Sequence, residues 1–224
     1  LAEAPNLAFE LEAGAQGLRL RALHRPEWEP LCIDWLSADV RRRILAGRKQ
    51  LLPRALGLHK KADVLIADAT AGLGRDGFTL AALGARVILV ERHPLVIDLL
   101  RDALARASAC NEKWAIAACA RVEIVQADAR EWLRHCPHAL DGVHLDPMYP
   151  DDGKTALPQK GMQMLRELTD GDDDSADLLS AAMASSAARI AVKRPTKAPW
   201  LDERQPNADV VGTQARYDIY LNRR

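Results

Sequence analysis

The stretch from Val64 to Gly77 constrains this chain more than any other. Val64–Asp68 is a short apolar run, a buried strand by length and flanks, and it leads into Asp68-Ala-Thr-Ala-Gly72-Leu-Gly74-Arg75-Asp76-Gly77. Gly72, Gly74 and Gly77 carry the spacing G-x-G-x-x-G, and Gly74–Leu83 reads as a helix that Gly84 ends. Strand, glycine turn, helix is the context in which that spacing has a physical meaning. Gly72 permits a tight turn, Gly74 lets a ligand approach the backbone, and Gly77 allows close packing of helix on sheet. The next strand, Arg86–Glu91, ends on an acid placed to bind the ribose hydroxyls of an adenosine cofactor.

From Ala62 onward strands and helices alternate. Helix Pro94–Ala107 has a proline suited to its first turn. Strand Val122–Gln126, helix Ala129–His135 and strand Gly142–Asp146 follow, then helices Gly161–Leu168 and Asp177–Ala188 and strands Ile190–Val192 and Tyr217–Leu221. Such alternation predicts an α/β fold, a parallel sheet with helices on both faces and ligands bound outside the carboxyl ends of its strands. Upstream, Leu7–Glu12 and Leu18–Leu23 read as a hairpin around Gly14 and Gly17, Leu31–Leu36 as a third strand, and Ser37–Leu58 as a helix broken by Pro53. The expected division is a small N-terminal β extension, residues 1–36, and a main domain, residues 37–224.

The 224 residues suit one domain of ordinary size, and a hydrophobic share of 48% is ample for a core. No run approaches the roughly 20 apolar residues of a membrane helix. Leu1–Leu20 has no basic segment followed by an apolar one, so no signal peptide is read there. The expectation is a soluble, cytoplasmic protein with no membrane partner. Cys32, Cys110, Cys119 and Cys136 lie far apart with no C-x-x-C pair, so zinc is not expected and the metal set is none. Lys plus Arg and Asp plus Glu both number 31, which argues against nonspecific coating of nucleic acid but permits a local basic face. Arg41, Arg42, Arg43, Arg48, Lys49, Arg54, Lys60 and Lys61 form a basic stretch; Asp170, Asp172, Asp173 and Asp174 form an acidic one.

Two cofactors fit the glycine turn, a nicotinamide dinucleotide and S-adenosylmethionine, and charge separates them. A pyrophosphate at a helix N-terminus wants backbone N–H groups and no nearby carboxylate, yet Asp68 precedes this turn and Asp76 lies inside it. Two carboxylates suit an ammonium and a sulfonium instead, and Arg75 with the helix N-terminus can hold a single carboxylate. Arg92 keeps an NADP-dependent oxidoreductase open, since an arginine there can meet a 2′-phosphate. The strand Gly142–Asp146 then runs into Asp146-Pro147-Met148-Tyr149-Pro150. This motif resembles the D/N-P-P-Y/F signature of methyltransferases that act on exocyclic amino groups of nucleobases. Such an aromatic amine is a poor nucleophile because its lone pair is delocalised. The Asp146 carboxylate and the Pro147 carbonyl can accept both of its N–H bonds and free that lone pair, while Tyr149 stacks on the base. His144, inside the strand, reads as packed rather than catalytic.

Together these motifs resemble the RsmJ family, the small-subunit ribosomal RNA guanine-N2 methyltransferases. The resemblance rests on Asp68-Ala-Thr-Ala-Gly-Leu-Gly-Arg-Asp76, Glu91-Arg92 with Pro94, Leu145-Asp-Pro-Met-Tyr-Pro150, Val192-Lys-Arg-Pro195 and Arg216-Tyr-Asp-Ile-Tyr220, and covers the chain from about Leu31. It implies a Rossmann-like class I methyltransferase fold whose last strand is antiparallel, with S-adenosyl-L-methionine as cofactor. It implies cofactor contacts at Arg75, Asp76, Glu91, Arg92, Asp128, Ala129 and Asp146, beside Asp68, Gly72 and Gly74 of the turn. The implied reaction methylates the exocyclic N2 of a specific guanine in 16S ribosomal RNA, as free RNA or small subunit, with Arg41, Arg42, Arg43, Arg48, Lys49, Lys193 and Arg194 on the RNA. Asp128-Ala129 departs from the serines common in that family, and Asp151-Asp152 replaces its basic loop. A methyltransferase acting on another nucleobase amine and a non-catalytic RNA-binding factor are the other readings.

Overall fold

Apolar residues at alternate positions close the N-terminal segment into a hairpin, β1 (Phe9–Gly14) against β2 (Gly17–Ala22), with β3 (Leu31–Cys32) on the far side of β2. The structure is a computed structural model and describes residues 8–61, 63–147, 160–169 and 174–222. Leu31, Ile33 and Trp35 keep a strand-like alternation of burial, but pairing stops after Cys32. Beyond it the chain packs on the glycine turn instead: Trp35 stacks on Phe78 at 4.7 Å and its indole N–H donates to the Leu73 carbonyl at 3.0 Å. The third strand is therefore shorter than expected.

The segment that follows forms two helices, α1 (Ala38–Leu45) and α2 (Leu51–Ala55). Gly47, at φ 75°, lies in the break between them. Pro53 sits in the first turn of α2, where its missing N–H costs no helical bond; it was expected to break the helix and does not. The main sheet then builds from β4 (Leu65–Asp68), α3 (Arg75–Ala82), β5 (Arg86–Glu91), α4 (Pro94–Ser108), α5 (Lys113–Cys119), β6 (Val122–Gln126), α6 (Ala129–His135) and β7 (Gly142–Leu145). It continues through α7 (Lys160–Thr169), α8 (Ser175–Ala184), β8 (Arg189–Pro195), β9 (Ala208–Val211) and β10 (Ala215–Leu221). Neither α5 nor β9 was expected.

The strand order is β6-β5-β4-β7-β8-β10-β9. The first five strands in that order are parallel, and β10 runs antiparallel to β8. This is the Rossmann-like arrangement with an antiparallel last strand. Neighbouring residues of β4 face opposite layers: Ile66 enters the core shared with Trp35, Phe78 and Leu100, and Ala67 the core shared with Leu145, Leu179 and Tyr220. The order reverses beside β4, between β5 and β7, which opens a crevice at the carboxyl ends of these strands. Among the described residues no helix is long and apolar enough to cross a membrane.

Gly74 has a role different from the one its spacing suggested. It caps α3 in the left-handed region at φ 66°, and a Cβ there would lie 2.8 Å from both Trp35 and Leu100. Close packing under the turn, rather than approach of a ligand, excludes a side chain. Gly74→Ala combines left-handed strain with overpacking, so chemical denaturation should show a loss of roughly 2–4 kcal/mol.

Candidate active site

A cavity of about 690 Å³ opens at the carboxyl ends of β4, β5 and β7, a volume suited to a cofactor-sized ligand. Asp68, Gly72, Arg75, Asp76, Glu91, Arg92, Asp128, Ala129 and Asp146 all line it. Of the expected cofactor residues, Gly74 lies behind the wall for the reason given above. Tyr149 lies outside the described residues, as do Met148, Pro150 and Asp151-Asp152. Pro147 is described and buried, directly after Asp146.

One end of the cavity is organised by Glu91 and Asp128. Glu91, ending β5, accepts from the Gly72 N–H at 3.2 Å and the His93 N–H at 2.8 Å. Burial still pushes its carboxyl above the ordinary value, against those two N–H groups and that of Arg92. Asp128 caps α6, accepting from the Arg130 and Glu131 N–H groups. Its oxygens also take the Arg130 guanidinium, at 3.0 and 2.6 Å. Arg130 and these backbone donors lower the Asp128 carboxyl to about 2. Asp174 bridges Arg92 and Arg130, 3.1 Å from each. Arg92, the residue that kept a 2′-phosphate open, therefore faces a carboxylate at the cavity rim.

The other end gathers three carboxylates. Asp68 is 1% exposed and meets His144 Nδ1 at 3.2 Å; His144 is equally buried, as its place within β7 suggested. Burial disfavours the imidazolium, but Asp68, Asp76 and Asp146 outweigh it and raise the His144 pKa. Asp76, in the first turn of α3, pairs with Arg43 of α1, and Lys193 Nζ lies 3.9 Å from its other oxygen. Burial pushes Asp76 up, yet His144, Arg43 and Lys193 together hold it below the usual carboxylate value. Asp146 follows β7: its N–H donates to Thr70 Oγ1 at 2.7 Å and its Oδ2 accepts from Lys193 Nζ at 2.6 Å. Enclosure raises the Asp146 carboxyl, with Lys193 opposing and Asp76 reinforcing.

Arg43 and Lys193, expected on RNA, thus form part of the cavity wall. Arg41 pairs with Glu112. Arg194 is 6% exposed and donates to the Pro199 carbonyl. Arg42, which pairs with Asp39, and Arg48 and Lys49 remain exposed. Thr70, Arg130, Asp174 and Lys193 are site residues that sequence reasoning missed or placed elsewhere. Thr70 stood inside the glycine turn as an unremarked letter, and a cap at Asp128 was readable from its place before the helix.

The donor set fits S-adenosylmethionine. The carboxylates of Asp68, Asp76 and Asp146 answer an ammonium and a sulfonium and would repel a pyrophosphate. Glu91 closes β5 where a ribose would lie. Residues 1–222 match the family described as "Putative SAM-dependent methyltransferase". Ribosomal RNA small subunit methyltransferase J of Chromohalobacter salexigens is 42% identical over 223 residues, 96% of this chain and 86% of that protein. The protein of the same name from Stutzerimonas stutzeri is 39% identical over 221 residues, 97% of this chain and 85% of that one. A solved SAM-dependent methyltransferase from Neisseria gonorrhoeae matches with a TM-score of 0.74 at 29% identity, covering 99% of this chain and 86% of that chain. Fold and cavity together define an S-adenosylmethionine-dependent methyl-transfer site, and the dinucleotide alternative is not favoured. More narrowly, the chain belongs to the SAM-dependent methyltransferase family whose curated members include the ribosomal RNA small subunit methyltransferases J.

Two measurements follow from this geometry. S-adenosylhomocysteine at 100 times its Kd should stabilise the fold by about 2.7 kcal/mol in thermal unfolding, and NADP should leave it unchanged. Asp128→Ala removes a cap and should cost about 1 kcal/mol near pH 7. Because the folded pKa is depressed, that contribution is complete above the unfolded carboxylate value of about 4 and fades as pH falls through it towards about 2. Denaturation curves for variant and parent should therefore converge in acid.

Proposed function

We propose that the protein transfers a methyl group to the exocyclic N2 of one guanine in 16S ribosomal RNA, presented as RNA or within the small ribosomal subunit in the cytoplasm. The observation that carries this reading is the position of Asp146 and Pro147. They follow β7 directly, Asp146 in the wall of the cofactor cavity, in a chain about 40% identical to relatives named for methylation of small-subunit ribosomal RNA. The choice of guanine N2 over other nucleobase amines rests on the family resemblance of the motif.

S-adenosylmethionine, held by the residues that line the cavity, would supply an electrophilic methyl with a neutral thioether as leaving group. The chain's own residues prepare the acceptor. The Asp146 carboxylate and the Pro147 carbonyl accept the two N–H bonds of the guanine amine, so its lone pair turns towards the methyl. Thr70, just past β4, accepts from the Asp146 N–H and holds that backbone in place. Asp146 takes up the proton that N2 must lose and passes it to water. Tyr149 stacks on the extruded base, a contact worth on the order of 1–3 kcal/mol. Arg42, Arg48 and Lys49, exposed beside α1, meet phosphates, while Arg43 and Lys193 serve the cavity.

The direct test incubates the protein and methyl-labelled S-adenosylmethionine with small subunits from cells lacking the enzyme, then maps modified nucleosides by mass spectrometry. N2-methylguanosine at one site, lost with Asp146→Ala while circular dichroism shows the variant folded, is the expected result. A methyl on adenine or cytosine would overturn the guanine assignment. On the RNA face, alanine at Arg42, Arg48 or Lys49 should each reduce the slope of log affinity against log salt by about 0.9. Unchanged slopes would remove these residues from the interface.

A further inference from the structure

We propose that Lys193 is a positioning residue for methyl transfer: its ammonium keeps the Asp146 carboxylate ionised and fixes which oxygen is presented to the methyl acceptor. This rests on the reading of Asp146 as the group that receives the guanine amine.

The sheet brings the pair together. Val192 of β8 is in register with Leu145, the last residue of the parallel strand β7, so Lys193 and Asp146 are each the next residue along the chain. Tyr217 of β10 lies opposite Lys193 in the antiparallel ladder and is buried, closing that side. The lysine and the aspartate are about equally exposed, 33% and 32% of their side chains, and both line the cavity. Lys193 engages Oδ2 at 2.6 Å, which leaves Oδ1 as the carboxylate oxygen outside that bond.

Charge explains why the lysine is needed there. Asp68 has His144 and Asp76 has Arg43 as close partners. Lys193 is, among the described residues, the cation in hydrogen-bond contact with Asp146. Among the described residues, the titratable or charged groups around Asp146 are Asp68 from β4, Asp76 from α3, His144 from β7, Arg43 from α1, Tyr217 from β10 and Lys193 from β8. His144 and Lys193 favour the Asp146 anion; Asp76 and enclosure oppose it. Removal of the lysine tips this balance towards a neutral carboxyl, which cannot receive the proton that N2 must shed. An opposite charge at this range lowers a carboxyl pKa by about 1–3 units, so losing it raises the pKa by a similar amount.

The sign gives a test that a purely structural lysine would not pass. Catalysis needs ionised Asp146, so activity falls as pH drops through its pKa. In Lys193→Met and Lys193→Gln the acidic limb of kcat/KM should move to higher pH by about 1–3 units, while Lys193→Arg keeps it near the parent value. A readout independent of turnover is carboxyl-carbon NMR of protein labelled at aspartate, with the Asp146 resonance assigned by Asp146→Asn. Its titration midpoint should rise by the same amount in the two neutral variants, with S-adenosylhomocysteine stabilisation confirming that each is folded. A midpoint and limb that coincide with the parent in either folded neutral variant would overturn the proposal, even if turnover fell. Full activity in Asp146→Asn would instead overturn the amine role of Asp146, and the NMR midpoint would still decide whether Lys193 sets its charge.

Discussion

Like charges held close together in an enclosed space force one another towards the neutral form. Asp68, Asp76 and Asp146 meet in one cavity, and much of the architecture around them serves to keep them apart electrostatically. Each close partner comes from a different part of the chain: His144 from β7, Arg43 from α1 and Lys193 from β8. These cations oppose the protonation that crowding would otherwise force on Asp76 and Asp146. Replacing Lys193 would act on more than one carboxylate, because it reaches both Asp76 and Asp146.

The same arrangement separates two jobs that basic residues do here. In the sequence, Arg41–Arg43, Arg48 and Lys49 form one run, and a run of like charge suggests one surface. In the fold, α1 divides them. Arg43 turns inward to Asp76, Arg41 towards Glu112, and Arg42 stays outside beside Asp39. Successive residues on a helix point about 100° apart, so three adjacent arginines cannot share a face. The exposed basic surface is smaller than the run implies, and Arg43 lines the cofactor cavity instead.

Much of the fold was legible because its signals are local. Strands β5 and β6 and helix α6 begin and end where apolar runs, prolines and capping residues put them. The glycine turn likewise announced a site at the end of β4. What escaped was set by partners distant in sequence. Helix α5 is short and alanine-rich, without a stripe distinct enough to mark it. Strand β9 has four residues and owes its existence to pairing with β10 at the sheet edge. Gly74 looked like a ligand contact because the motif implies one; the bulk beneath it belongs to Trp35, outside the motif altogether. Lys193 and Asp146 are 47 positions apart in the chain, and no pattern in the letters links them.

The N-terminal hairpin also has a consequence for how the chain comes to be folded at all. The Leu18 N–H donates to Asp102 in α4, 84 residues downstream, and Arg106 of the same helix donates to the Ile33 carbonyl, 73 residues upstream. The hairpin's apolar face belongs to the core that contains Leu99, Leu100 and Ala103 of α4. During synthesis, then, the hairpin must wait until α4, whose Asp102 lies 84 residues beyond Leu18, has left the exit tunnel before its docking platform exists. Contacts of such long sequence separation form late and slowly, and an apolar hairpin left waiting is open to capture by chaperones or by other nascent chains. The hairpin is thus made well before the helix on which it finds its place.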